Sequence, residues 1–119
     1  YKIIKNESPI IFGDGNQTRD FIYVKDLSEF IVDNLEKSPE HKLFHLANGK
    51  QISVNHVFSI IKKISGFNEN AIHQDAIPGE VRDLLLDTKL AQTELKWNPQ
   101  TSLEAGLRET FDWYKENYA

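Results

Sequence analysis

The fourteen residues Gly13-Asp14-Gly15-Asn16-Gln17-Thr18-Arg19-Asp20-Phe21-Ile22-Tyr23-Val24-Lys25-Asp26 constrain the fold more than any other stretch of this chain. Asp14-Gly15 demands a turn, because glycine accepts positive φ without steric cost. Asn16, Gln17 and Thr18 extend that turn with hydrogen-bonding side chains. Phe21 to Val24 are all aromatic or β-branched, which predicts a short strand. Asp26 precedes an amphipathic run and is placed to accept the free N–H groups of a following helix. Arg19 therefore stands where a glycine turn becomes a strand. A planar, permanently charged guanidinium at such a place suits bidentate recognition of phosphate. The competing reading is an arginine that pairs only with Asp20 or a neighbouring carboxylate.

A length of 119 residues sets a single domain as the default. The 39% hydrophobic and 27% charged content is that of an ordinary globular chain, so no disordered or fibrous class is indicated. A formal net charge of −4 argues against a general nucleic-acid binder, which would carry a basic face. It leaves room for a local cationic pocket. The absence of cysteine removes disulfides and thiolate metal sites, and fits a reducing compartment such as the cytoplasm. No apolar stretch approaches the ~18 residues that span a bilayer, so no membrane partner is expected.

Local patterns order the rest. Tyr1 to Lys5 reads as a helix end, stopped before Pro9, which disfavours a helical Ser8. Ile10-Ile11-Phe12 reads as a short strand. A helix is predicted from Leu27 to Lys37, with Leu27, Phe30, Ile31 and Leu35 on its apolar face and Asn34 as an exception. Leu43 to Ala47 has strand length and ends in the Asn48-Gly49 turn. Ser53 should cap a helix whose stripe is Val54, Val57, Phe58, Ile61 and Ile64, with Gly66 as its stop. Short strands are expected near Ala71 to Gln74 and Leu84 to Leu86. Asp87 should cap a helix from Thr88 to Leu95. Thr101-x-x-Glu104 has the form of a capping box opening the longest helix, which runs to about Asn117 and carries Leu103, Leu107, Phe111 and Tyr114.

The opening run, Gly13-Asp14-Gly15-x-Gln17-Thr18-Arg19-Asp20-Phe21-x-Tyr23-Val24-x-Asp26, resembles the motif of the NAD-dependent sugar-nucleotide epimerases and dehydratases. These are extended short-chain dehydrogenase/reductase enzymes, with UDP-glucose 4-epimerase as a familiar type. Phe44-His45-Leu46-Ala47-Asn48-Gly49 is similar to the family's Phe-Asn-(aliphatic)-Gly-x-Gly segment. Pro78-Gly79-Glu80-Val81-Arg82 resembles its Pro-Gly-Asp-Val-Arg turn. Asp87-Thr88-x-Leu90-Ala91, Leu95-x-Trp97-x-Pro99 and Ser102-Leu103-Glu104-x-Gly106-Leu107 continue the likeness in order. It covers nearly the whole chain, but only the C-terminal part of such an enzyme.

The fold class this implies is α/β: the C-terminal substrate-binding part of a Rossmann-type fold, built of mixed short strands and helices. Residues 1–119 would form the sugar-nucleotide-binding domain, with the NAD-binding Rossmann domain outside this chain. The family holds NAD on a Gly-x-x-Gly-x-x-Gly loop whose helix N-terminus meets the pyrophosphate. The six glycines here lack that spacing, so no cofactor is expected on these residues. The family's proton-transfer pair is Tyr-x-x-x-Lys. Tyr1 and Lys5 match the pattern literally but stand too close to Gly13 to be that pair. No catalytic residue is expected here, and the chain alone should be inactive. The implied activity is 4-epimerisation of a UDP-hexose; the nearest alternative is 4,6-dehydration. A stand-alone nucleotide-binding or interaction module is the rival from outside enzymology.

The resemblance assigns Arg19 to the diphosphate of a nucleotide-diphosphate sugar. Phe21, two residues on along the expected strand, would face the same side and pack on the nucleotide, or else serve as a core aromatic. Glu80 stands where the family has an aspartate that meets the ribose hydroxyls. Ile77 stands where the family commonly has a phosphate-binding arginine, and Arg82 is the residue positioned to supply that charge instead. The histidines form no metal set: His41 and His45 are four apart, but on a loop and strand, where that spacing does not converge. His73 is expected at the surface, and Trp97 and Trp113 in packed surroundings. The intact enzyme is expected to be a homodimer, and the isolated piece to self-associate through exposed apolar faces.

Overall fold

The computed structural model describes residues 1–41 and 43–118. A 3₁₀ turn, Lys2–Lys5, leads to strand β1 (Ile10–Phe12), followed by β2 (Thr18–Arg19), helix α1 (Val24–Asn34) and β3 (Ile52–Ser53). Helix α2 (Val54–Ser65), β4 (Ile72–Gln74), α3 (Lys89–Leu95) and α4 (Leu103–Tyr118) complete the order. β1 and β4 pair in parallel, with Ile11 opposite His73; β2 and β3 pair antiparallel, with Arg19 opposite Ile52. The α2 and α4 helices pack on each other.

The caps of α2 follow the sequence. The Ser53 hydroxyl accepts the N–H of His56 at 3.1 Å, and Gly66 ends the helix at φ 72° with its N–H on the Lys62 carbonyl. Val54, Val57, Phe58 and Ile61 line a groove with Leu107 and Phe111 of α4, as the two apolar stripes require. The strand near Ala71 to Gln74 forms as Ile72–Gln74. Asp87 accepts the N–H of Lys89 at 2.9 Å, so it holds the first turn of α3.

Five local expectations change. Phe21 to Val24 is not a strand. Tyr23 is extended (φ −83°, ψ 135°), but β-propensity supplies no neighbouring strand, and the ladder lies upstream at Thr18–Arg19. Helix α1 consequently starts at Val24, and Asp26 does not cap it. Its carboxylate accepts the N–H groups of Gln100 (3.0 Å) and Thr101 (2.9 Å) and the Thr101 hydroxyl (2.6 Å). With Thr101 so engaged, Ser102 caps α4 by accepting the N–H of Ala105. Leu43 to Ala47 forms no strand, because among the described residues no strand lies beside it. Leu84 to Leu86 forms none either; the pairing occurs one residue earlier, as a parallel bridge between Thr18 and Asp83.

Helix α1 is apolar on two sides. Leu27, Phe30 and Asn34 are half-buried, so Asn34 belongs to the inward face. Its Nδ2 donates to the Phe30 carbonyl, while Oδ1 is buried without a partner. Val24, Ile31, Val32 and Leu35 face solvent. The core lies on the inner side: Trp97 is 2% exposed, meets the Phe30 ring edge-to-face at 4.8 Å, and donates its indole N–H to the Ala47 carbonyl at 2.6 Å. Trp113 behaves differently. It is half exposed, and its ring meets those of Tyr114 and Tyr118 near the end of α4.

Removing the buried Trp97 side chain should open a large void in the core. Trp97→Ala is expected to lower stability by about 3–5 kcal/mol in urea unfolding. Trp97→Phe keeps the ring contact but leaves the Ala47 carbonyl unpaired, and should cost about 1–3 kcal/mol. Equal losses for the two variants would show that the aromatic contact contributes nothing.

Candidate functional site

The site begins at the glycine turn. Gly13 and Gly15 both have positive φ (72° and 74°), the region that disfavours side chains. Asp14 braces the turn by accepting the N–H of Asn16 at 2.9 Å. Gln17, buried, donates its amide to the Phe12 carbonyl at 2.8 Å. Asn55, at the start of α2, completes the support. Its N–H donates to the Gly15 carbonyl (2.9 Å), and its side-chain amide to the Asp14 carbonyl (2.9 Å) and Asn16 Oδ1 (3.2 Å). The contact is so close that a Cβ on Gly15 would lie 2.0 Å from Asn55 Oδ1.

A second turn faces the first. Pro78 and Gly79 (φ 81°) occupy its centre, and Glu80 N–H closes onto the Ile77 carbonyl at 3.2 Å, the pattern of a type II turn. The chain then runs beside β2. Thr18 N–H donates to the Arg82 carbonyl (2.9 Å), Leu84 N–H to the Thr18 carbonyl (3.2 Å), and the Thr18 hydroxyl to Asp83 (2.7 Å). This register carries Glu80 to Arg19 and Arg82 to Asp14.

Arg19 donates through Nη2 to Glu80 Oε1 at 2.7 Å, and through Nη1 to the carbonyls of Thr18 (2.7 Å) and Arg82 (3.3 Å). Both side chains are about a third exposed (28% and 32%). Arg82 donates to both oxygens of Asp14, at 2.9 and 3.3 Å, in a more open pair (61% and 50% exposed). The Arg82 guanidinium, with the Asn16 N–H behind it, holds the Asp14 carboxyl at about 2. Asp14 in turn raises the basicity of Arg82. Asp14, Gln17, Ile77, Glu80 and Arg82 line one hollow of about 170 Å³.

The structure thus brings three of the four sequence-derived candidates together: Arg19, Glu80 and Arg82. Phe21 is elsewhere, half-buried against a separate hollow with Asn48, Ile52 and the 99–104 segment. Without a strand at 21–24, residues 19 and 21 do not share a face. The carboxylate beside Arg19 is Glu80 and not Asp20, which accepts the N–H groups of Asn48 (2.8 Å) and Gly49 (2.9 Å). Ile77 and Arg82 do share a hollow, although five positions separate them. Two supporting residues escaped the sequence. Asp14 was visible only as a turn residue, and nothing near Asn55 announces that it grips a loop 40 positions upstream. Among the described residues no group of three His, Asp or Glu side chains converges on a metal position. His73 is exposed in β4, its Nδ1 meeting the Gly13 carbonyl at 2.8 Å, and His41 pairs with Glu94.

Two outcomes test this geometry. Gly15→Ala must clash with Asn55 or distort a positive-φ turn, and should cost about 1–3 kcal/mol; an unchanged urea midpoint would refute the Asn55 contact. The depressed Asp14 carboxyl contributes stability present in full above the unfolded-state value of 3.8 and lost as pH falls through about 2. The stability difference between wild type and Asp14→Asn should therefore be flat near neutrality and close on acidification through that window. A gap that persists below it would show that Asp14 acts through something other than its charge.

Comparison with known proteins identifies the family and the fold. The sequence model of the GDP-mannose 4,6 dehydratase family matches residues 1–110. A putative UDP-glucose 4-epimerase of Methanocaldococcus jannaschii is 41% identical over 116 residues, covering 98% of this chain and 37% of that protein. The crystal structure of the Thermotoga maritima UDP-glucose 4-epimerase with UDP-glucose superposes with a TM-score of 0.92 at 30% identity, over 99% of this chain and 38% of that one. The Bacillus cereus UDP-glucuronic acid 4-epimerase, in complex with UDP-glucuronic acid and NAD, gives 0.89 at 31%, over 98% and 38%. This chain therefore spans little more than a third of the length of the proteins it matches. On these grounds the chain belongs to the Rossmann-type extended short-chain dehydrogenase/reductase family of sugar-nucleotide epimerases and dehydratases, of which it covers a part.

Proposed function

We propose that residues 1–119 are the sugar-nucleotide-binding part of an NAD-dependent 4-epimerase acting on a UDP-hexose. The observation that carries this reading is that Arg19 bonds the Glu80 carboxylate and the Arg82 carbonyl, while Glu80 and Arg82 line the hollow between the two glycine turns. Arg19 is the diphosphate anchor, because its fork is fixed by two backbone carbonyls and points one nitrogen at a displaceable carboxylate. Glu80, once released from Arg19, is free to accept ribose hydroxyls. Arg82 supplies from the same hollow the positive charge that Ile77 cannot. The 4-epimerase assignment is supported by the 41% identical relative and the UDP-glucose-bound neighbour.

NAD does not fit these residues. The Gly13–Gly15 turn opens into a strand, and a dinucleotide needs a strand, a glycine loop and a helix N-terminus in succession. On this reading the redox chemistry belongs to residues outside this chain, and the piece alone is inactive. Here the nucleotide is held so that the sugar can turn at its far end. The outward face of α1 (Val24, Ile31, Val32 and Leu35) is where the remaining part would pack, since a helix apolar on two sides needs cover on both. Without that cover the piece should self-associate.

The full-length protein supplied with NAD is expected to interconvert UDP-glucose and UDP-galactose. A 4-keto-6-deoxy product would move the assignment to 4,6-dehydration, the reading favoured by the family description that matches residues 1–110. In the same protein Arg19→Ala should weaken UDP binding about tenfold or more, given the ~1.5–3 kcal/mol typical of hydrogen bonds to charged groups. Arg82→Ala should weaken it less. Wild-type affinity in Arg19→Ala would remove Arg19 from the site, whatever the reaction.

A further inference from the structure

Each arginine of the site already holds a carboxylate. We propose that Asp14 is an internal stand-in for phosphate: it keeps the Arg82 guanidinium parked beside the glycine turn and surrenders it to an incoming nucleoside diphosphate, so that Asp14 sets how tightly the anion is held. This deepens the reading above and rests on it.

The geometry makes Arg82 the group free to exchange. The turn that carries Asp14 does not need Arg82 for its shape, because Asn16 N–H, the two donors of Asn55 and the Gln17 amide already hold it. The backbone of Arg82 does not need the side chain either, because its carbonyl is fixed by Thr18 N–H and Arg19 Nη1. The guanidinium can leave Asp14 while both anchors stay in place. The pair is more open than Arg19–Glu80, at 61% and 50% exposure against 28% and 32%. Exposed pairs are weak and therefore inexpensive to break. A guanidinium offers carboxylate and phosphate the same two-pronged geometry, so the replacement is chemically matched. The carboxyl of Asp14, held at about 2, remains charged throughout the neutral range. Protonation therefore does not release Arg82 there; another anion must compete for it.

The test is a calorimetric titration of UDP into the full-length protein at low salt, with uridine as the uncharged control. Asp14→Asn keeps an acceptor for the Asn16 N–H and removes only the competing charge. It should tighten UDP about two- to fivefold, the scale of an exposed ion pair, and leave uridine unchanged. The gain should shrink as salt is raised. It should vanish in the Arg82→Gln background. A gain that survives there would mean simple repulsion between Asp14 and the ligand, and would overturn the exchange. Unchanged or weaker UDP affinity in folded Asp14→Asn would overturn it as well. If Asp14→Asn does not fold, Asp14→Ser, which also accepts the turn N–H, is held to the same expectation. Arg19→Ala separates the two levels. UDP bound with wild-type affinity by that variant defeats the phosphate reading itself. UDP lost there, with no gain in Asp14→Asn, defeats only the exchange.

Discussion

The backbone of Thr18 is the joint on which the site depends. On one edge it pairs with Ser53 in the β2–β3 ladder; on the other its N–H and carbonyl take the 82–84 segment. Its hydroxyl adds the bond to Asp83. Three segments far apart in sequence are thereby held in a fixed register. Because side chains alternate along an extended chain, a one-residue slip would send Arg82 away from Asp14 and detach Glu80 from Arg19. The glycine turn, the proline–glycine turn and the start of α2 matter chemically only because this register brings them to one edge.

Charge balance follows from that register. Two guanidiniums meet the Glu80 and Asp14 carboxylates, and Asp83 adds a third negative charge near Arg82, so these residues leave no standing positive field, and on the proposed reading an anion is taken up by exchange. The two pairs are not equivalent. Arg19 is pinned by the carbonyls of Thr18 and Arg82 in addition to Glu80, whereas the Arg82 side chain donates to Asp14, with the Asp83 charge nearby. One cation is fixed and the other is in reserve. On the proposed reading, Arg19 would position the ligand and Arg82 would adjust its affinity.

Local chemistry was the legible part of the sequence. Ser53 and Gly66 bound α2 as capping rules predict, and Pro78-Gly79 sits in the turn its residues demand. The misreadings share one cause. Phe21 to Val24, Leu43 to Ala47 and Leu84 to Leu86 all have strand composition, yet a strand exists only where a neighbour supplies hydrogen bonds, and composition names no neighbour. Asp26 and Thr101 each carried a correct local capping signal. They bond each other across the fold instead, because one carboxylate there satisfies two backbone donors and a hydroxyl. Arg19 and Glu80 stand out through their motif, and the fold pairs them. Asn55 was not, since its value lies in touching Gly15, a contact that only folding creates.

The isoleucine at position 77 does not leave its hollow without a cation. Residues 77 and 82 flank one turn and line one hollow, so a cation can reach that hollow from either end of the turn. With isoleucine at 77, the hollow keeps an aliphatic wall and takes its charge from 82. The consequence is a change in control rather than in net charge. A cation at 82 falls within reach of Asp14, which the glycine turn presents for an unrelated reason, the bracing of Asn16. On the proposed exchange, the turn residue is thereby the competitor of the ligand. Sensitivity of nucleotide affinity to salt should accordingly be concentrated in the Asp14–Arg82 pair, the more exposed of the two, and be weaker in Arg19–Glu80, where burial limits screening.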